Sequence, residues 1–359
     1  MTTLAPRTRT APTSGAVEPR TWHLPIPGGV WRLDARTAVV SSLLVAAVVV
    51  LALVALGVGD YPLSVPEVVR AMVSDQGFAS TVVTQWRMPR VVAAIAFGAA
   101  LALSGALFQS LTRNPLGSPD IIGFATGSYT GAIVVLTVVG PAVVSTSFGA
   151  LVGGLVTALL VYGLAWRRGV QGFRLIVVGI AVTAMRSAVN TWLLLRAQVE
   201  VAMAASIWGA GSISLVGWAQ ARLTLIVLVV LLPVVALLAG PLRELEMGDD
   251  LARSHGVDVE RNRIAILVVG VCLTAVVTAV SGPIAFVALA APQIARRLTR
   301  GAGLPLVGSA LVGALLLLTA DQAAQHLLPG DLPVGMVTVV VGGVYLLWLL
   351  VHEARVSTP

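Results

Sequence analysis

Lysine is missing from this chain of 359 residues: all 23 basic residues are arginine. A Walker A loop needs a lysine to reach the β- and γ-phosphates of a nucleotide. The chain therefore cannot hold a standard P-loop ATPase, and any ATP that drives it is bound by another subunit. Cysteine is almost missing too. Cys272 stands alone in an apolar run, which excludes an internal disulfide and a cysteine metal cluster and reads as a small buried hydrophobe. The patterns His-Glu-x-x-His, Gly-x-Ser-x-Gly and Cys-x-x-Cys are absent, and His23, His255, His326 and His352 are scattered. No catalytic residue, metal site or cofactor is expected on this chain.

Charge is scarce as well. Only 11% of the residues are charged, against roughly 25% in soluble domains. The deficit runs along the whole chain, so many segments sit in a solvent that does not demand charge, and that solvent is lipid. The formal net charge of +7 does not point to nucleic acid, because the arginines lie between apolar runs and form no stripe on a soluble domain.

What is present is hydrophobic: 57% of the residues, with a mean hydropathy of +0.94. Ten apolar segments lie near 38–59, 91–111, 121–140, 142–165, 173–195, 220–240, 263–281, 283–298, 304–326 and 333–352. About 20 helical residues cross roughly 30 Å of hydrocarbon. Ser281-Gly282-Pro283 breaks the helix between the seventh and eighth segments; the eighth is short, which leaves nine crossings as the fallback. The expected fold is all-α and integral to the membrane, with about ten transmembrane helices over 38–352. Residues 1–37, polar and rich in Thr, Pro and Arg, read as a disordered cytoplasmic tail and not as a signal peptide. Residues 353–359 form a short second tail. With both termini inside, 17 arginines fall on inner segments and 5 on outer ones, with Arg186 inside a span. That asymmetry places the N-terminus in the cytoplasm of a multi-pass protein of the cell membrane.

Small residues form ridges at helical spacing: Gly123, Gly127 and Gly131; Gly149 and Gly153; and, more loosely, Gly98, Ala102 and Gly105. Such ridges allow close helix approach in lipid, either for packing within the subunit or for lining a pathway. The most charged segment between spans, Arg243 to Arg263, contains Gly248-Asp249-Asp250-Leu251-Ala252-Arg253-Ser254-His255-Gly256. Asp249 is a good N-cap and Gly256 can supply a left-handed C′ residue. This predicts a two-turn helix with sharp ends, suited to a groove on another protein; a solvated linker is the alternative.

Five blocks, in order, resemble the FecCD-type permeases of ABC importers for iron–siderophores, haem and cobalamin. They are Trp86-Arg87-Met88-Pro89-Arg90; Gln109 to Asp120, which includes Arg113-Asn114-Pro115-Leu116-Gly117; the 248–256 loop; Ser281-Gly282-Pro283-Ile284-Ala285-Phe286-Val287 running to Ala291-Pro292-Gln293-Ile294-Ala295-Arg296; and Asp321 followed by Leu332-Pro333-Val334-Gly335. The resemblance covers about 38–352 and is nearest to the second permease of ferric–catecholate systems, which pairs with a non-identical partner. It implies a type II importer architecture and partners: two copies of an ATPase subunit carrying ATP and Mg²⁺, a second permease, and an extracytoplasmic substrate-binding protein. By position it makes Gly248 to Gly256 the coupling helix on the ATPase. It makes Arg87 and Arg90 outward cations that dock the binding protein, a role also open to interfacial anchoring beside Trp86.

The chain departs from the family pattern at Gln325, where an arginine is common, at Gln293 in place of a histidine, and at Gly342-Gly343-Val344. A third docking cation is therefore absent. Two ionisable residues lie within spans, and each needs a partner or a wet cavity. Arg186 can meet an anionic ferric–siderophore, pair with Asp321, or be capped by backbone. Ile207-Trp208-Gly209-Ala210-Gly211 resembles the family's outer gating segment, and Gly169 and Gly172 flank the turn where the inner gate is expected; either loop can equally be a connector. An ion-coupled transporter would need an acidic midplane site and repeats, for which Asp321 is the one candidate. A membrane enzyme would need clustered catalytic groups that the sequence does not offer.

Overall fold

Runs of Leu, Val and Ala cannot leave backbone N–H groups unpaired in a water-free surround, and a helix satisfies them within one segment. The computed structural model describes residues 21–26, 29–74, 77–166, 172–301, 305–328, 330 and 332–356. The helices are α1 (Ala35–Gly57), α2 (Val65–Val73), α3 (Phe78–Thr81), α4 (Met88–Thr112), α5 (Phe124–Val134), α6 (Thr146–Ala165) and α7 (Gly172–Arg196), then α8 (Val199–Gly209), α9 (Trp218–Met247), α10 (Asp249–Ser254), α11 (Val259–Ser281), α12 (Val287–Thr299), α13 (Leu306–His326) and α14 (Val334–Val356). A π-helical turn at Val82–Arg87 joins α3 to α4, another at Val135–Val139 extends α5, and a 3-10 turn at Pro119–Ile122 precedes α5.

Among the described residues, seven helices are long and apolar enough to cross a membrane: α1, the continuous 78–112 stretch, α6, α7, α9, α11 and α13. Shorter apolar stretches are Phe124–Val139, Val199–Gly209 and Val334–Trp348. The eighth expected segment becomes α12, 13 residues long, because Gly282 takes φ 72° and Phe286 takes φ 68° just before it. Helix α8 had no counterpart in the expected spans. Within the expected N-terminal tail, β1 (Thr21–Ile26) pairs antiparallel with β2 (Gly29–Asp34), Trp22 opposite Leu33.

Helix α4 is the axis of the bundle. It is buried along nearly its whole length and packs against α9, α11, α12 and α13. Glycines permit this. A Cβ on Gly98 would collide with the Gly313 carbonyl of α13, and one on Gly105 with the Ala288 carbonyl of α12. The α5–α6 pair is built alike: Gly127 and Gly131 face Gly153 and Gly149. The small-residue ridges thus serve packing within the subunit, where van der Waals contact replaces the hydrophobic force that lipid cannot supply. Polar contacts reinforce α4: Ser104 donates to the Gly270 carbonyl at 2.7 Å, and Thr274 donates to Ser104 at 2.8 Å.

Position, and not residue type, therefore decides what a glycine does here. Gly105→Val should destabilise the purified chain by about 1–3 kcal/mol or prevent folding. Gly163→Ala, whose Cβ meets nothing within 4 Å, should be neutral or stabilising by up to about 1 kcal/mol. Thermal unfolding in detergent distinguishes them; equal melting of the two variants would contradict the packing role.

Candidate functional site

The segment after α9 folds as expected in outline and differs in its cap. Gly248, at φ 128°, is the N-cap of α10, and Asp249 is the first helical residue. Asp249 does not cap because two cations claim its carboxylate: Arg113, at the C-terminus of α4, and Arg263, on the first turns of α11, the latter at 2.8 Å. Gly256 takes φ 82°; its N–H donates to the Arg253 carbonyl and that of Val257 to the Ala252 carbonyl, both at 3.0 Å, which is a Schellman stop.

Helix α10 is fastened on one side and open on the other. Ala252 is fully buried. Arg113 Nε donates to the Leu245 carbonyl at 2.9 Å, and Ser110 Oγ donates to Glu246 at 2.7 Å. His255 Nδ1 lies 2.7 Å from Glu244. Met247, Asp250, Leu251, Arg253 and His255 are exposed. Arg113 itself sits at φ 49°, a left-handed position that disfavours a side chain with a Cβ. Its anchoring contacts act against that strain. Sequence reading missed Arg113 and Arg263 as anchors, because nothing local to either shows that they converge on Asp249. At the same end, Gln293 donates to Gln109 at 2.6 Å and to the Pro115 carbonyl at 3.2 Å. The departure from histidine is thus a polar tie between α12, α4 and the 114–117 turn.

At the opposite end of the bundle, the expected docking cations are engaged inside the chain. Arg87 donates to the Leu56 carbonyl at 2.9 Å and the Tyr61 carbonyl at 2.8 Å, closing the turn after α1. Arg90 grips Asp321 of α13 through Nε and through Nη2, the latter at 2.8 Å, and Asp321 is fully buried. Gln325 donates to the other carboxylate oxygen at 2.7 Å. Arg90, and not Arg186, is the partner of Asp321, and Gln325 completes that site. Burying a carboxylate demands a paired cation, and Arg90 supplies it.

Trp208 stacks on Tyr129 with ring centroids 6.4 Å apart, and a Cβ on Gly209 would reach that Tyr129 ring at 2.6 Å. Gly211, at φ 73°, accepts from the Gly335 N–H at 3.0 Å, while Ser212 N–H donates to the Ser281 carbonyl at 2.7 Å. Gly211 gives close backbone approach to the breaks before α12 and α14. Gly169 lies outside the described residues, and Gly172 is the first residue of α7. Arg186 lies past the middle of α7, partly buried; among the described residues it has no hydrogen bond or ion pair.

The bundle thus has a buried ion pair at one end, an anchored helix with an exposed face at the other and a glycine-packed axis between them. The profile of the FecCD transport family matches residues 44–352. The chain belongs to that family. It is 49% identical over 322 residues, 89% of this chain and 98% of the relative, to the ferric enterobactin transport system permease protein FepG of Escherichia coli (strain K12). It is 37% identical over 316 residues to the achromobactin permease CbrC of Dickeya dadantii (strain 3937), covering 87% of this chain and 90% of the relative. It is 34% identical to the Fe(3+)-citrate import permease YfmE of Bacillus subtilis (strain 168), covering 90% and 98%. An inward-facing structure of a protein described as a metal-chelate type ABC transporter superposes with a TM-score of 0.78 at 26% identity, over 88% of this chain and 99% of that one. As a FecCD member, the chain is a multi-pass membrane permease.

Removing Asp249 leaves two cations unpaired. Asp249→Ala should speed amide exchange across α10 by about tenfold or more, the equivalent of losing roughly 1.5–3 kcal/mol of charged hydrogen bonding. Asp250→Ala removes an exposed pair worth about 0–1 kcal/mol and should change exchange little. Equal exchange in the two variants would contradict the anchor. Arg90→Ala should cost about 3–5 kcal/mol by stranding the buried Asp321, and the double variant with Asp321→Leu should recover much of it in thermal melts. No recovery would show that the pair is not the source of the loss.

Proposed function

We propose that this chain is one permease half of an ATP-driven importer that carries an iron–siderophore chelate into the cytoplasm by alternating access. Its partners in this reading are two copies of an ATPase subunit, which hold ATP and Mg²⁺, a second and non-identical permease, and an extracytoplasmic binding protein. The observation that carries the reading is α10. It is a short helix closed by a Schellman stop, anchored to α4, α9 and α11 and open on its other face, on a chain with no lysine for a nucleotide loop. In this reading the ATPase meets the exposed face formed by Leu251, Arg253 and His255, and the α10 end and the N-terminus lie in the cytoplasm. The opposite end receives the binding protein near Trp86, where Arg87 and Arg90 shape the rim through their own chain and set the register of docking. The names of the relatives, ferric enterobactin, achromobactin and Fe(3+)-citrate permeases, support an iron chelate as cargo.

An ion-coupled transporter is disfavoured by the state of Asp321, its one candidate site. That carboxylate is fully buried and gripped by Arg90 and Gln325, with no oxygen free for a proton or sodium cycle.

Uptake of labelled ferric chelate into vesicles, with and without the ATPase subunit, tests the reading. Uptake should require ATP and the ATPase and ignore ion gradients. Gly256→Val, which forces a β-branched residue to φ 82°, should abolish uptake while membrane insertion persists. Gradient-driven uptake without the ATPase, or normal uptake by Gly256→Val, would contradict it.

A further inference from the structure

A two-stranded ribbon standing alone in water is at best marginally stable. The hairpin before α1 is such a ribbon, and its register shows what would steady it. Successive residues of a strand alternate between its two faces, and paired residues share one. The pairs Trp22–Leu33, Leu24–Trp31 and Ile26–Gly29 therefore fall on one face. Thr21–Asp34, His23–Arg32 and Pro25–Val30 fall on the other. Two tryptophans, two leucines and an isoleucine are thus grouped without a charge, while Arg32, Asp34 and His23 all belong to the opposite face. The position of the hairpin indicates what covers the apolar one. Strand β2 ends at Asp34 and α1 begins at Ala35, so no linker separates ribbon from span. Arg36 Nε donates to the Leu298 carbonyl at 3.0 Å, which ties that junction to the last turn of α12. Six strand residues reach about 20 Å, so the ribbon stays beside the end of the bundle. Helix α1 packs on α4, α12 and α13, whereas α10 packs on α9 and α11. Val39 and Leu43, in the first turns of α1, are exposed, as residues facing lipid are. The surrounding sequence is basic: Arg7, Arg9, Arg20, Arg32 and Arg36 stand against Glu18 and Asp34. Tryptophans settle at the headgroup level of a bilayer, and basic segments beside a span are drawn to anionic lipid.

We propose that the Thr21–Asp34 hairpin lies on the membrane at the α10 end of the bundle, with its Trp22, Leu24, Trp31 and Leu33 face against the headgroup layer of an anionic leaflet. The hairpin is then an interfacial anchor continuous with a span. It fixes the depth and tilt of α1, whose own attachment to the bundle is one-sided, and it makes that end of the chain sensitive to lipid charge. The anchor needs only the membrane bundle and is independent of cargo and motor.

The test uses the full chain in nanodiscs of phosphatidylcholine with phosphatidylglycerol, after Cys272→Ser. Spin labels are placed singly through Leu24→Cys on the apolar face and His23→Cys on the other. Collision with oxygen, which concentrates in lipid, is compared with collision with a water-soluble nickel chelate. The label at 24 should favour oxygen over nickel severalfold more than the label at 23. Trp22→Ser with Trp31→Ser should abolish that contrast, and neutral phosphatidylcholine alone should weaken it. Equal nickel access at both positions would overturn the anchor by leaving the hairpin in water. A contrast that arises only after an ATPase subunit is added, or spin–spin broadening between labels at 24 on two chains, would overturn it by assigning the face to a protein. A contrast of the same size in neutral and anionic nanodiscs would overturn the preference for anionic lipid.

Discussion

Asp249 is held between Arg113 and Arg263, and the working anatomy of this permease depends on that fork. A six-residue helix has no independent stability, since nucleation alone outweighs so few hydrogen bonds. Helix α10 exists because its first residue is pinned to the end of α4 and the start of α11, its buried Ala252 rests on the bundle, and Gly256 stops it. The fork also decides how a push on α10 travels. Because α4 is the buried axis against which α9, α11, α12 and α13 pack, displacement of α10 would, in the proposed reading, carry the centre of the subunit with it. A loop with a free Asp249 would absorb the same push.

The rest of the bundle is consistent with transmission by stiff parts. Where Gly98 meets Gly313 and Gly105 meets Ala288, backbone touches backbone, so these helices cannot slide without collision. At the far end Arg87 closes the turn after α1, and Arg90, Asp321 and Gln325 lock α4 to α13. In the 207–212 segment, Gly209 packs on Tyr129 and Gly211 on Pro283 and Gly335. In the proposed importer, the conformational change is a movement of blocks.

Much of this was legible in the sequence. Apolar length located the long spans, because lipid imposes one requirement on every one of them. The stop at Gly256 was readable, because only a residue without a Cβ sits easily at φ 82°. The small-residue ridges were readable as close packing. The partners of charges were not. Arg90 and Asp321 are 231 positions apart, and Arg113 and Asp249 are 136 apart; no local pattern links them. The contacts of Arg87 and Arg90 within the chain were therefore not legible, and Asp249 was read as a cap. The short eighth segment fell short of a span because Phe286 adopts a left-handed backbone that its residue type argues against. Helix α8 is apolar but only 11 residues long, too short to stand out as a span.

The central claim is that α10 and α4 move as one body when the partner ATPase cycles. Spin labels at exposed Leu251 of α10 and exposed Trp86, beyond the other end of α4, report on it in the assembled importer, after Cys272 is replaced. Under ATP turnover that sustains uptake, the distance distribution between them should stay single and unshifted. A second population displaced by several ångströms on ATP binding would show that α10 swings independently, and the fork at Asp249 would then not be the link between motor and pathway.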